Sequence, residues 1–435
     1  MNWALALGYE GVAQVARGLA ALAPTSEHKL VATFASRRGV LARFAAFARD
    51  PAHPLLWMHA PSVGEGLQAR PVLELVRERR PATQLAYTYF SPSARSFARG
   101  LNVDFRDVLP FDAVSDMRTA LAALDPTALV FSKVDVWPTL AREASRRGTR
   151  LGIVSATLAA SSSRRGGIAG ALLRDAYARI DRVGAISTED ADRLVALGVP
   201  HSRVTVTGDT RYDQVWARAE RVDRAGVLLA ALSSDRPTLV AGSTWPSDEA
   251  VLLPAWARVV VQHPRARLII AAHEPTPAHL APIEGWARSA GLRFARLGAA
   301  GAAEADVIIV DRVGVLGDLY ALADVAFVGG AFHAAGLHSV LEPAAFGAPV
   351  LFGPRFGGAR DARLLLDADA ALAVDDASAL ERAVEHWLSV PSERREAGKA
   401  ARDVVHAGLG AAQRSYALVT ELLDGPPGAP ARGKR

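Results

Sequence analysis

Residues 328–354 read VGGAFHAAGLHSVLEPAAFGAPVLFGP, and this stretch determines the fold that we expect. Before it, residues 323–328 form a short apolar run that ends at the pair Gly329–Gly330, a pattern typical of a buried strand closed by a turn. Residues 340–346 then predict the start of a helix, and residues 349–352 predict the next strand. Strand, glycine loop, helix and strand in this order indicate a nucleotide site in an open α/β sheet.

Three features of the same stretch are suited to an anionic ligand. The glycine pair lets a ligand approach the backbone, and the start of a helix presents unpaired N–H groups that bind phosphates. His338 lies in the loop before the helix and Glu342 lies within it. The combination favours a binding site more strongly than the glycines do by themselves.

The rest of the chain repeats this alternation of strands and helices. Predicted strands of the first half are 55–59, 85–89, 128–131, 151–154, 183–186 and 204–206, and predicted helices are 67–79, 116–124, 138–147 and 189–197. Predicted strands of the second half are 238–241, 268–271, 307–310, 325–328, 350–352 and 372–374. Such alternation is typical of parallel sheets covered on both faces, so we predict an α/β chain with two facing Rossmann-like domains.

Composition excludes several kinds of site. The 435 residues exceed a single ordinary domain, and the absence of cysteine excludes disulfides, cysteine nucleophiles and cysteine-based metal sites. The formal net charge of +5 is carried mainly by arginine, because the chain has only four lysines, at 29, 133, 399 and 434. No basic, aromatic-interleaved surface indicates nucleic-acid binding, and no run reaches the roughly 20 apolar residues of a membrane-spanning helix.

The N-terminus has the pattern of an amphipathic helix. Within residues 1–23, the apolar residues at 5, 12, 15, 19 and 22 recur at helical spacing. Two interpretations stay open: a helix packed on its own domain, or one that lies on a membrane surface. Arginines at 37, 38, 43 and 49 favour an anionic surface.

Glu65 is the first candidate for a catalytic group. It lies in the loop HAPSVGEG at residues 59–66, between a predicted strand and a predicted helix, where catalytic groups of α/β proteins collect. A carboxylate there can accept a proton from an attacking hydroxyl group. The alternative is structural, because Ser62 followed by Glu65 also fits a capping box at a helix start.

Six segments in sequence order resemble the Kdo (3-deoxy-D-manno-octulosonic acid) transferases of lipopolysaccharide synthesis. They are HAPSVGEG (59–66), YTYFSPSARSF (87–97), DVWPTL (135–140), VTGDTRYD (206–213), VAGSTWPSDE (240–249) and the opening stretch. The resemblance covers nearly the whole chain. It implies a glycosyltransferase fold of type B and an inverting, metal-independent transfer of Kdo from CMP-Kdo to a lipid A precursor.

The resemblance also implies roles for individual residues. Glu65 would be the general base, and the acceptor side would include Ser62, Lys133 and Asp135. The donor would be bound by Ser243, Thr244, His273, Gly329, Gly330, His338, Ser339 and Glu342. No cofactor or metal ion is implied, and the partners would be the two substrates and the inner membrane surface, on its cytoplasmic face.

Two departures from the family pattern concern the donor. Lys133 stands where many members have the first of two acidic residues, and either reaches solvent or contacts a donor carboxylate or acceptor phosphate. Ala272 stands where many members have an arginine, so His273, backbone groups or another cation would have to meet the donor phosphate. A catalytically silent relative that binds a lipid or a partner at the membrane, and an epimerase-like enzyme, stay open as alternatives.

The predicted organisation has five parts. Residues 1–50 form the membrane-associated helix and basic segment, residues 51–222 the acceptor-binding domain and residues 236–410 the donor-binding domain. A terminal helix follows at 411–424, and residues 425–435 form a disordered tail.

Overall fold

The structure is a computed structural model that describes residues 3–22, 29–159, 162, 166–334 and 336–425. The chain divides into two compact units. The first unit contains Met1–Gln214 and Leu409–Arg435, and the second contains Val215–Gly408. Each unit is described by itself below.

The first unit is built on one parallel sheet. Its strands, in the described residues, are β1 (Leu55–His59), β2 (Gln84–Tyr89), β3 (Phe105–Val108), β4 (Ala128–Ser132), β5 (Arg150–Ala156), β6 (Arg182–Ala185) and β7 (Val204–Val206), in the order β3-β2-β1-β4-β5-β6-β7. The helices are α1 (Trp3–Leu22), α2 (Lys29–Ala35), α3 (Val40–Ala45), α4 (Val63–Arg79), α5 (Arg95–Arg99), α6 (Val114–Leu124), α7 (Pro138–Arg146), α8 (Gly167–Tyr177) and α9 (Thr188–Leu197). Helix α10 (Thr210–Arg221) begins in this unit and continues into the second. The central strands β1, β4 and β5 are buried throughout because helices cover both faces.

The second unit repeats the architecture. Its described strands are β8 (Thr238–Thr244), β9 (Arg267–Ala272), β10 (Phe294–Arg296), β11 (Val307–Val310), β12 (Val325–Val328), β13 (Val350–Phe352) and β14 (Ala371–Ala373), in the parallel order β10-β11-β9-β8-β12-β13-β14. The helices are α11 (Val227–Ala230), α12 (Pro246–Gln262), α13 (Pro277–Ser289), α14 (Leu316–Leu319), α15 (Leu341–Ala345), α16 (Arg360–Asp367), α17 (Ala377–Ser389) and α18 (Pro391–Ala407). The prediction of two Rossmann-like domains is therefore confirmed.

The sequence analysis missed one strand in each sheet. Both β3 and β10 are edge strands, and each carries an arginine among its three or four residues. An edge strand pairs on one side only, and its side chains face solvent more than those of a central strand. It therefore lacks the continuous apolar run by which the central strands were recognised.

The last helix, α19 (Ala411–Asp424), returns the chain to the first unit. Asp213 binds its start, because the carboxylate accepts the backbone N–H groups of Gly410 at 2.8 Å and Ala412 at 2.9 Å. Gly152 in β5 leaves room for the side chain of Leu422. The sequence placed the domain boundary between 222 and 236, whereas the units divide after Gln214; residues 426–435 of the predicted tail lie outside the described residues.

Helix α1 turns its polar side towards the body of the first unit. The hydroxyl of Tyr9 donates to Asp112 at 2.9 Å, the carboxylate of Glu10 accepts the N–H of Val114 at 3.0 Å, and Arg17 pairs with Asp116 at 3.3 Å. The opposite side exposes an apolar stripe, which we define as Leu7, Val12, Val15 and Leu19, with 53% to 70% of each side chain's surface exposed. No helix in the described residues is long and apolar enough to cross a membrane.

Candidate active site

Glu65 lies in the first turn of α4, directly beyond the carboxyl end of β1. Two features keep this turn close to the sheet. The hydroxyl of Ser132, at the end of β4, donates to the backbone carbonyl of Glu65 at 2.8 Å. Position 66 requires a glycine, because a Cβ atom there would overlap with the ring of Phe97 and with the hydroxyl of Tyr87. The turn is thereby packed closely at the edge of the sheet where ligands bind in open α/β folds.

The carboxylate of Glu65 has two side-chain partners. The hydroxyl of Ser62 donates to Oε2, and the ammonium group of Lys133 lies 3.3 Å from Oε1. Ser62 is the N-cap residue of α4, but its side chain accepts no bond from the helix backbone. The capping-box alternative is therefore wrong for this helix. The structure joins three residues that the sequence predicted for the acceptor side: Ser62, Glu65 and Lys133.

These partners determine the protonation of Glu65. Burial raises the pKa of the carboxyl group, but the hydrogen bond from Ser62 and the charge of Lys133 more than offset it, so the net pKa is lowered. The carboxylate is therefore ionised at neutral pH, as a proton acceptor must be. Lys133 itself adopts a left-handed backbone at φ 67°, a conformation that is uncommon for residues other than glycine and is enriched at functional sites.

We expect Lys133→Met to shift the pH profile of kcat/KM. Loss of the positive charge removes one cause of the lowered pKa of Glu65, so the acid limb should move to higher pH. The pH profile of kcat/KM, measured from acid to neutral pH, tests this shift. Lys133→Arg keeps the charge and should leave the limb in place. A limb that stays unmoved in Lys133→Met would show that the lysine does not control the protonation of Glu65.

Trp137 follows Asp135 near the same edge of the sheet, just before α7. Its Nε1–H donates to Nε2 of His59 at 3.0 Å, and its ring stacks on Phe90 with the centroids 4.9 Å apart. His59 is fully buried, and burial lowers its pKa to about 3, so it is a neutral hydrogen-bond acceptor here. His59 therefore positions Trp137 rather than exchanging protons. Asp135 is half-buried, and its acceptor role stays a prediction.

In the second unit, four aromatic rings stack beyond the strand ends. The ring of Trp245 lies between His333, at a centroid distance of 4.3 Å, and His273, at 4.6 Å. His273 also stacks on His338 at 4.5 Å, and Nε1–H of Trp245 donates to Nε2 of His338 at 3.0 Å. Burial and the neighbouring His273 lower the pKa of His338, so its imidazole is neutral at pH 7. The structure thus brings together His273 and His338, which the sequence predicted, with His333, which it did not assign to the site.

The glycine pair has a packing role that was not predicted from the sequence. A Cβ on Gly329 would overlap with the backbone of Ser243 and Thr244, and a Cβ on Gly330 would overlap with the carbonyl of Gly336. The glycine pair is therefore required for close packing between loops of the second unit. Its role in admitting a ligand to the backbone stays a prediction. The helix that follows, α15, has only five residues, so it offers a weaker N-terminus than expected.

Asp248 is the residue that organises these loops, and the sequence analysis missed it. Its carboxylate is fully buried and accepts three backbone N–H groups, from Trp245 at 2.8 Å, Gly330 at 2.8 Å and Phe332 at 3.1 Å. It thereby ties the start of α12 to the glycine loop after β12. A local signal existed, because an acid three residues after a helix N-cap often bonds back to the cap.

The other predicted donor residues differ in their accessibility. Thr244 is fully buried and its hydroxyl donates to Glu249 at 2.8 Å, so its role in donor binding stays a prediction. Ser339 is exposed, and Ser243 adopts a left-handed backbone at φ 55°. Burial raises the pKa of Glu342, and no hydrogen bond or ion pair joins its carboxylate to any residue in the described part of the chain. Among those residues, no three metal-ligating side chains come together.

The fold and the arrangement of these side chains define a class. The chain resembles the UDP-GlcNAc 2-epimerase from Neisseria meningitidis, with a TM-score of 0.62 at 12% identity over 85% of this chain and 99% of that one. It also resembles a glycosyltransferase from Rickettsia africae, with a TM-score of 0.58 at 11% identity over 86% and 100% of the two chains. The protein therefore has the glycosyltransferase fold of type B, as the sequence predicted.

Sequence similarity identifies the family. The profile of the 3-deoxy-D-manno-octulosonic-acid transferase (kdotransferase) family matches residues 34–214. The 3-deoxy-D-manno-octulosonic acid transferase of Bordetella pertussis is 34% identical over 400 residues, which are 88% of this chain and 91% of the relative. The chain belongs to the Kdo transferase family and is a glycosyltransferase, and both predictions are confirmed.

Proposed function

We propose that this glycosyltransferase moves Kdo from CMP-Kdo to a lipid A precursor at a membrane surface, with inversion and without a metal ion. The observation that carries the proposal is the ionised Glu65 beyond β1, held by Ser62 and Lys133 within the segment that matches the family. The membership of the family supports the activated donor and the lipid acceptor. A silent relative would not use this carboxylate as a base, and the family match argues against an epimerase.

Glu65 supplies the base in this mechanism. Its carboxylate takes the proton of the acceptor hydroxyl while the hydroxyl oxygen attacks the anomeric carbon of Kdo. The bond from that carbon to the phosphate oxygen breaks, and CMP leaves with the electron pair. Attack from the face opposite the leaving group inverts the anomeric configuration. Lys133, whose side chain is 40% exposed beside Glu65, also suits an anionic group of either substrate.

The donor site in this proposal consists of Glu342 and the four stacked rings of the second unit, Trp245, His273, His333 and His338, which we call the ring cluster. A carboxylate with no protein partner can accept hydrogen bonds from the ribose diol of the nucleotide. His273 is exposed on the ring cluster. In this proposal it meets the donor phosphate in place of the arginine that many family members have at the position of Ala272. A ring N–H of His273 could donate a hydrogen bond to the phosphate and so stabilise the departing CMP.

Membrane docking in this proposal uses the apolar stripe of α1. A helix that turns its polar side chains to the protein and its apolar side chains to solvent suits a lipid interface. The stripe runs over three helical turns, and its four side chains are each more than half exposed. The alternative of a helix packed by its apolar face on its own domain does not fit these exposures.

We expect Val12→Glu combined with Val15→Glu to abolish most of the binding to lipid vesicles. Each valine contributes about 1.5 kcal/mol when buried in an apolar phase, so the partition coefficient should fall at least about tenfold. Vesicle co-sedimentation of the purified protein measures this change. A matched control replaces two exposed valines of the second unit, Val227 and Val261, by glutamate and should bind as the wild type does. Equal losses in both double variants would refute a specific role for the stripe.

The experiment that tests the proposed reaction is sugar transfer by the purified wild-type protein. With CMP-Kdo and a lipid A precursor, we expect mass spectrometry to detect added Kdo, NMR to show an inverted anomeric centre, and a chelator to leave the rate unchanged. No product with CMP still bound would refute the proposed donor sugar or acceptor. No product and no CMP binding would favour the silent relative.

A further inference from the structure

A cavity of about 330 Å³ lies in the first unit beside α1. This volume is at the lower end of the roughly 300–1,000 Å³ that is usual for ligand pockets. Its wall includes Arg17, Arg37, Arg38, Leu41, Phe111 and Asp116. The three arginines and the single aspartate leave two positive charges in excess. None of these residues contacts Glu65 or belongs to the predicted acceptor set, so the cavity is separate from the site described above.

Arg37 gives the cavity a buried positive charge. Only 4% of the residue is exposed, and its guanidinium group lies over the rings of Phe90, at 4.1 Å, and Phe111, at 4.9 Å. Its hydrogen bonds go to the backbone carbonyls of Thr33, at 2.6 Å, and Phe90, at 3.1 Å, while Nε has no partner. Burial lowers its pKa to about 10, so the group is still charged at neutral pH.

The carboxylates near Arg37 are paired with other arginines, although the charge of Asp107 also acts on it. Asp107 accepts two hydrogen bonds from Arg43, and Asp116 is paired with Arg17 at 3.3 Å. No carboxylate in the described residues forms an ion pair with Arg37. A buried cation without a counter-ion is costly unless an anion compensates it. The cavity in front of it, with the exposed Arg38 at its wall, is the place where such an anion fits.

We propose that this cavity binds the phosphate group of an anionic membrane phospholipid. Planar guanidinium groups match phosphate oxygens through two parallel hydrogen bonds, which favours phosphate over other anions. We assign the phosphate to a lipid because Arg17 of the cavity wall lies on the protein-facing side of α1, and docking of the opposite, apolar side of this helix would bring the cavity to the membrane surface. In the docked protein, lipid acyl chains would contact the apolar stripe and a lipid phosphate would occupy the cavity. One membrane surface would thus account for both the stripe and the cavity. The inference rests on the membrane docking of α1 proposed above.

The test compares vesicles whose anionic lipid differs in its head group. Vesicles of digalactosyl diacylglycerol, an uncharged lipid without phosphate, contain either phosphatidylglycerol or sulfoquinovosyl diacylglycerol, which also lacks phosphate, at matched surface charge. We expect the wild type to prefer phosphatidylglycerol. Arg38→Ala should bind these vesicles about fivefold more weakly, since a basic residue near an anionic surface contributes about 1 kcal/mol, and Arg38→Glu more weakly still. The exposed Arg38 has no side-chain partner in the described residues, so both variants should fold.

Arg99 provides the matched control, because it is an exposed arginine of α5 that does not line the cavity. Arg99→Ala should keep both the affinity and the preference. Equal binding of the wild type to the two kinds of vesicle, or equal losses in Arg38→Ala and Arg99→Ala, would overturn the cavity assignment. Absence of any vesicle binding would instead overturn the docking of α1 and this inference with it.

A separate measurement distinguishes a bulk phospholipid from the lipid acceptor as the source of the phosphate. In detergent micelles without phospholipid, Arg38→Ala should show the wild-type KM for the acceptor. A several-fold rise of that KM, together with unchanged vesicle binding, would overturn the assignment to bulk lipid and place an acceptor phosphate in the cavity.

Discussion

Replacement of Glu65 by glutamine is expected to lower kcat for sugar transfer by about 10²–10⁴-fold, the usual contribution of a general base. The amide has nearly the shape of the carboxylate and can still bond to Ser62, but it cannot take the proton of the acceptor hydroxyl. In the proposed function the donor binds to residues of the second unit, so the affinity for CMP should not change. Transfer assays under saturating substrates and calorimetric titration with CMP measure the two quantities.

The control for this experiment is Glu74→Gln, the same chemical change at an exposed position of the same helix α4. It should leave kcat unchanged. If Glu65→Gln retained a kcat close to that of the wild type, Glu65 would not be the base, although the reaction itself would stand. If Glu65→Gln also lost CMP affinity, the carboxylate would have to be assigned a role in donor binding.

Asp248→Ala is expected to have the largest effect in the second unit. The substitution leaves three backbone N–H groups without their acceptor, and each buried unpaired donor costs about 1–3 kcal/mol. We expect the free energy of unfolding to fall by at least about 3 kcal/mol, as measured by denaturant titration. Because the same bonds hold Trp245 next to the glycine loop, the affinity for CMP should fall at least about tenfold under conditions where the variant is folded.

Two comparisons make the role of Asp248 testable. Asp235→Ala removes an aspartate that is paired with Arg265 on the exposed surface, and such a pair contributes little, so this variant should resemble the wild type. Asp248→Asn retains one carbonyl oxygen and should recover part of the stability. Loss of stability with unchanged CMP affinity would show that Asp248 supports the fold without positioning the donor site.

The two halves of the candidate site differ in how far the sequence could predict them. In the first unit, the position of Ser62 and Glu65 between a strand and a helix was enough to assign both to the site, although the local pattern suggested a capping box and not the side-chain bond that joins them. In the second unit, the predicted His273 and His338 stack directly on each other, and Trp245 and His333 complete the cluster from positions that no local pattern connects to His273. Stacking between residues far apart in sequence has no local signature, so these partners could not be assigned from spacing.

The sequence by itself determined the two parallel sheets, because buried central strands require continuous apolar runs and helices between them require amphipathic periods. The six sequence motifs and their order along the chain also determined the family. Only the tertiary structure decided that Lys133 meets Glu65 across 68 residues of sequence and that Asp248 bonds Gly330 across 82. It also decided the orientation of α1. A helical period reveals which side chains share a face, but long-range contacts such as Tyr9 with Asp112 determine which face the protein covers and which it leaves exposed.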